Sequence, residues 1–323
     1  MIEEAKIMNQ KAFDYAPPAW LPVQDKKVLE YCRNIKREEM ETHPHPNPDY
    51  KVRVVPHPCS AITAELFNWI WRSDVEDKKT VIIFPNSWRS VYVAAVTMCN
   101  RYRVSGRNIH AFCMDEWADQ DGNVAPITYG PSLGGHFLSE FYMTFEPDLR
   151  PPLEQMHYYT NDNIEHYSDL IEEIGDGGAD LVISATGWVG HTAFIDPNTE
   201  AFKADSLEEF LKLGARFVDN HRLTIIQNSL GAGFGACGDL AYTPCYSVSI
   251  GPRDIINARD HLERHDLGFL GGYSSWERMI SRLQIYGPVT KDVPASIYQL
   301  TKGTIYVSED MARPIQPLEL IAY

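Results

Sequence analysis

The chain has 323 residues, 44% of them hydrophobic, which suits one large α/β domain with additions or two domains. Its formal net charge of −15 argues against a nucleic-acid-binding surface, although a local positive site can still take an anionic small molecule. The chain opens with no signal-like segment and carries no apolar run of membrane-spanning length. Its six cysteines form no Cys-x-x-Cys pair, so a soluble, cytoplasmic protein with reduced thiols and no membrane association is expected.

Residues 1–50 read as an accessory segment, broken by Pro17-Pro18, Pro22 and the run His43-Pro44-His45-Pro46-Asn47-Pro48. Between the breaks, Val28, Leu29, Cys32, Ile35 and Met40 carry helical spacing. The His-Pro-His-Pro run has no third ligand nearby and reads as a solvated linker rather than a metal site. Residues 51–323 form the expected α/β domain.

Lys51 to Val55 alternates as a strand does, and residues 61–72 have a helical pattern. Residues 80–84 read as a buried strand, followed by the loop Asn86-Ser87-Trp88-Arg89-Ser90 and a helix over 91–102. Residues 108–117 form a second apolar strand ending in the adjacent acids Asp115 and Glu116. Residues 128–145 and 163–174 are predicted helices, and Asp180 to Ser184 is a short buried strand of parallel type. Then come a helix over 205–219, a glycine-rich flap over 230–238, a strand over 243–251 and a helix from Arg253 to Glu263. On that last helix His261 and His265 fall one turn apart, without the flanking pattern of a zinc motif. A helix over 294–300 and a strand over 305–309 close the chain. The alternation of strand and helix predicts a doubly wound, mostly parallel, Rossmann-like sheet with helices on both faces.

The chemistry concentrates after the 180–184 strand, in Gly187-Trp188-Val189-Gly190-His191-Thr192-Ala193-Phe194-Ile195-Asp196-Pro197. Open α/β sheets keep their ligands at the carboxyl ends of such strands. Gly187 and Gly190 let backbone approach a substrate, and His191 can exchange protons near neutrality. With Phe112-Cys113-Met114-Asp115-Glu116-Trp117, this stretch resembles the glucosamine-6-phosphate deaminase (isomerase) family, in both motifs and in their order and spacing. The resemblance runs from about residue 51 to 312.

The resemblance implies an aldose–ketose isomerase or deaminase that opens a sugar ring and moves a proton between C2 and C1. It implies that Asp115 is the C2 proton acceptor and His191 the ring-opening group. Asp196, where the family usually has a glutamate, orients the histidine, and Glu116 supports the site. Asn86, Ser87, Trp88, Arg89, Gly187, Gly190 and Ser275 are the expected substrate-binding residues. The partner is a small sugar or sugar phosphate, no cofactor or metal is expected, and a homo-oligomer is possible.

The sequence departs from the family at several places. The acid expected before Gly190 is Val189, the phosphate loop at 86–90 has no glycine, Ile225 replaces an arginine, and Ser274 or Ser275 replaces a lysine. A sugar phosphate held by Arg89, with Trp88 stacked on the sugar, or a sugar or sugar acid without phosphate, fits these changes. Two other readings stand beside this one. The sibling 6-phosphogluconolactonases share Gly190-His191-Thr192-Ala193, but carry arginine where Trp117 stands. A sugar-binding or regulatory protein that lost turnover is the third.

Overall fold

The computed structural model describes residues 15–85, 88–266 and 277–315. Short runs rich in β-branched and aromatic residues, with no polar alternation, become central strands buried on both faces. Thr80–Phe84 (β2) is buried at all five positions, and Leu181–Ala185 (β6) at four of five. With Tyr50–Val55 (β1), Ile109–Cys113 (β3), Met156–His157 (β5), His261–His265 (β9) and Gly303–Ser308 (β10), they build a seven-stranded sheet in the order β1-β10-β9-β6-β2-β3-β5. Every pairing in it is parallel.

Alternate residues of β2 feed different cores. Ile82 and Phe84 pack with Leu66 and Ile70 of the helix Pro58–Val75, and with Val91 and Val96 of the helix Arg89–Tyr102. Val81 and Ile83 pack with Tyr167 and Ile171 of the helix Tyr167–Ile174, and with Ile255 and Ile297. Helices therefore cover both faces, as the sequence pattern implies.

The strand order reverses at β2. The chain steps outward through β3 to β5, then returns with β6 on the other side of β2 before reaching β9 and β10. β2 and β6 are in register only at Ile82–Leu181 and Ile83–Val182. The carboxyl ends of these two strands bound the crevice where open α/β sheets bind ligands.

Four expectations need correction. Residues 108–117 are two strands. β3 ends at Cys113, and Met114 bridges to other segments by donating its N–H to Phe84 O (3.0 Å) and accepting from Ile250 N (2.8 Å). Asp115–Ala118 (β4) then enters a second, antiparallel sheet in the order β4-β8-β7, with Arg216–Asp219 as β7 and Tyr246–Ser249 as β8. Residues 205–219 hold only the short helix Leu207–Phe210 before β7, because pairing with β8 overrides the helical spacing. Residues 253–263 likewise divide into the helix Pro252–Ile256 and the start of β9. His261 and His265 thus lie on a strand, where four residues span about 13 Å and a shared ion is out of reach.

The fourth correction concerns His43 and His45, which are half-buried rather than solvated. Their rings lie 5.2 Å apart, with His43 5.0 Å from Tyr286 and His45 4.6 Å from Tyr50. Burial and the neighbouring His43 push the His45 imidazole down to about 4. Nearby, Ile35 and Met40 join the main core, Tyr286 Oη donates to Met40 O (3.2 Å), and Arg37 pairs with Glu309 (3.0 Å). Of the six cysteines, Cys32, Cys99 and Cys113 are buried, Cys59 is half-buried, and none of the six is in a disulfide. No helix among the described residues is long and apolar enough to cross a membrane.

Candidate active site

Four neighbouring strands deliver the site from their carboxyl ends. Pro85 and Trp88 follow β2, Met114 and Asp115 follow β3, Thr186 and His191 follow β6, and Arg264 and Asp266 end and follow β9. All eight line one cavity of about 150 Å3, with Trp117, Leu133, Ala193, Phe194, Gln227, Asn228, Glu277 and Ala185 completing its walls. About that volume accommodates one six-membered ring, far less than a dinucleotide. Asp115 and His191, 76 residues apart in sequence, therefore open onto a common space.

The His191 loop is closed by its own backbone. Gly187 N donates to His191 O (3.0 Å), and Gly190 N donates to Gly187 O (2.9 Å). Gly190 has φ +80°, and a Cβ there would stand 2.8 Å from Val293 Cγ1. A Cβ on Gly187 would fall 2.1 Å from His191 Nε2, so this glycine reserves the space of the imidazole. Neither glycine lines the cavity; both shape the loop that does. Ala193, which lines the cavity, also sits in the left-handed region at φ +50°, backbone strain of a kind that collects at functional sites.

One face of the imidazole's hydrogen bonding is fully assigned. His191 Nδ1 lies 2.9 Å from Asp196 Oδ1 and 2.8 Å from Thr224 Oγ1. Thr224 Oγ1 donates to Asp196 Oδ1 (2.7 Å), and Asp196 Oδ2 accepts from His221 N (2.7 Å). Asp196 is wholly buried. With the threonine proton spent on the carboxylate, Nδ1 is the protonated nitrogen of neutral His191, and Nε2 keeps its lone pair for chemistry. The sequence reads a lost acid at Val189, which is a buried apolar residue; the Thr224 hydroxyl joins the histidine network instead. Thr224 lies on the helix Arg222–Ser229, and no local motif marks it.

Asp115 is buried, and its Oδ1 has no hydrogen-bond partner among the described residues. Burial, with the adjacent Glu116 adding repulsion, holds the carboxyl well above the usual range. Glu116 is spent differently and does not line the cavity. It accepts from Ser132 Oγ (2.7 Å), Leu133 N (3.0 Å), Gly134 N (2.9 Å) and Trp117 N (2.8 Å). Burial raises its carboxyl while these bonds oppose the rise. Glu116 thus anchors the start of the helix Leu133–Phe137 and with it the Leu133 wall.

At the far end, the Arg264 guanidinium lies 4.2 Å over the Trp88 ring. Glu277 completes this end; burial, with Asp266 nearby, lifts its carboxyl to about 8. Arg89, the first residue of its helix, is exposed and stands outside the cavity lining. Asn86, Ser87 and Ser275 lie outside the described residues. Arg264 and Glu277 are site residues that sequence reasoning missed. Arg264 falls just past the end of the mis-assigned 253–263 helix, a stretch read there without a site.

No family model matches the sequence. Over 135 residues, 42% of this chain, it is 27% identical to a glucosamine-6-phosphate deaminase of Oenococcus oeni, and it spans about half (47%) of that curated relative's length. Among solved structures, a monomeric glucosamine-6-phosphate deaminase superposes with a TM-score of 0.62 at 16% identity, covering 81% of this chain and 98% of that one. A 6-phosphogluconolactonase from Trypanosoma cruzi superposes with a TM-score of 0.56 at 14% identity, covering 84% and 98%.

Proposed function

We propose that this chain, whose fold is shared with a glucosamine-6-phosphate deaminase and 6-phosphogluconolactonases, is a divergent member of their superfamily and an aldose–ketose isomerase or deaminase of small sugars. The observation that carries the reading is the shared cavity. It brings together a buried carboxyl with an unpartnered oxygen, Asp115, and an imidazole whose Nε2 is left for substrate, His191.

The steps follow from these two groups. His191 Nε2 takes the anomeric hydroxyl proton and returns a proton to the ring oxygen, giving the open-chain aldehyde. Asp115 then removes the C2 proton. Its raised affinity for protons makes it a stronger acceptor than an exposed carboxylate. The proton goes to C1, converting the aldose into a ketose. With an amino group on C2, the same transfer gives a C2 imine, and water releases ammonia and leaves the ketone. The walls of Trp117, Leu133 and Phe194 limit water around the enediol-like intermediate.

Incubating the purified protein with amino sugars, their phosphates and sugar lactones, and measuring ammonia and ketose, tests this. Ketose formation is the expected result. Gly190-His191-Thr192-Ala193 supports a second reading, a lactonase in which His191 activates water, and that reading leaves Asp115 without a task. Lactone hydrolysis that survives Asp115→Asn, with no ketose from any sugar, would replace the first reading by the second.

A further inference from the structure

Arg264 is the one lysine or arginine lining the cavity among the described residues. Its side chain is only 15% exposed, and its donors are poorly used. Among the described residues Nη1 donates to Cys59 Sγ (3.2 Å), a weak acceptor, while Nε makes no hydrogen bond and is ion-paired with Asp266 Oδ1 at 3.5 Å. A guanidinium carries five N–H donors, and burying them unmet is costly. The Trp88 ring lies beneath the guanidinium, 4.2 Å from its carbon, and holds the cation at this end of the cavity, where its fork can meet a planar or tetrahedral oxyanion.

We propose that Arg264, seated over Trp88, is the specificity residue that anchors an oxyanion on the substrate, a carboxylate or a phosphate monoester. The inference rests on the sugar reading of the site. It places the anionic end of the sugar over β9 and its reacting carbons between His191, carried by β6, and Asp115, which follows β3. Glu277 strengthens this end: burial and Asp266 raise its carboxyl to about 8, so near neutrality it offers an O–H donor, while Asp266, ion-paired with Arg264 at 3.5 Å, is the acid that the anion displaces from the guanidinium. The Trp88 ring is covered by the guanidinium on one face, so it serves as the platform of the anchor rather than an open stacking surface for sugar.

Calorimetric titration of the full chain with glucose, gluconate and glucose 6-phosphate tests the anchor, at constant ionic strength. At least one anionic sugar is expected to bind about tenfold or more tighter than glucose, in line with a charge-assisted bidentate contact. Arg264→Met should bring it to the glucose level. Arg264→Lys, which keeps charge but loses the fork, should recover only part of the preference. Preference for gluconate assigns a carboxylate, and preference for glucose 6-phosphate assigns a phosphate. Anionic sugars binding the wild-type chain no better than glucose would overturn the proposal. So would an undiminished preference in Arg264→Met or, should that variant fail to fold, in Arg264→Lys. Asp115→Asn should keep the anion preference while losing ketose production, so failure of the anchor and failure of the reaction give different results.

Discussion

The two ends of the cavity are built on opposite plans. At the His191 end the ring Nδ1, both Asp196 oxygens and the Thr224 hydroxyl have partners within the protein. At the Arg264 end, donors are left under-used beside a carboxyl that burial keeps protonated. The first end is organised before any substrate arrives, as a group that must present one nitrogen in one orientation requires. The second is completed by what binds. On the proposed reading, chemistry belongs to the finished end and selectivity to the unfinished one.

Asp115, whose Oδ1 has no hydrogen-bond partner among the described residues, should give the largest effect. Asp115→Asn is expected to lower kcat by about 10²–10⁴-fold, measured as ketose formation. The same variant should be more stable than wild type at alkaline pH. A carboxyl held above its ordinary value in the folded state costs stability once the unfolded chain ionises, and the amide removes that cost. Turnover lost together with a raised alkaline melting temperature distinguishes a strained catalytic acid from a structural one.

At the finished end, Thr224→Val removes the hydroxyl between His191 and Asp196. A drop of about 10–100-fold in kcat is expected, from a buried hydrogen-bond loss of about 1–3 kcal/mol, with little change in KM. A larger change in KM than in kcat would move Thr224 out of the histidine network. Gly187→Ala is expected to cost about 1–3 kcal/mol in denaturant unfolding, because its methyl meets His191 Nε2 and Gln227 Oε1.

The unfinished end shows itself in a pH dependence rather than in a rate. Glu277 has its carboxyl raised from 4.5 to about 8 by burial and by Asp266, with Arg264 opposing. Its contribution is fully favourable below the unfolded value and is lost as pH rises through the folded one. The melting temperature of Glu277→Gln should therefore gain on wild type from about pH 5 to about pH 8 and hold that gain above. A gap that is constant across this range would show that Glu277 is ionised throughout.

This division also explains what the sequence made legible. β2, β6 and the loop from Gly187 to Asp196 were readable because fully buried parallel strands are short apolar runs and the loop follows one directly. β9 was not, because His261, Glu263, Arg264 and His265 give it the composition of an exposed helix. Its burial comes from β6 and β10 on either side. Losing β9 hid Arg264, whereas Arg89, next to Trp88 in sequence, opens a helix, is exposed and stands outside the lining. The break at Met114 was equally invisible, since the stretch from Ile109 to Trp117 carries no glycine or proline to mark it while the backbone changes sheets. Thr224 was unreadable because its role depends on a helix packing beside a loop 33 residues earlier.

The most direct test of the central claim follows the C2 hydrogen. A sugar or amino sugar that the wild-type chain converts, deuterated at C2, should be turned over more slowly than the unlabelled sugar and should give ketose carrying deuterium at C1, and Asp115→Asn should lose this conversion. Ketose formed at the wild-type rate by Asp115→Asn, or ketose from the wild-type chain with no isotope effect and no deuterium at C1, would contradict the assignment of Asp115 and His191 to one proton-transfer site.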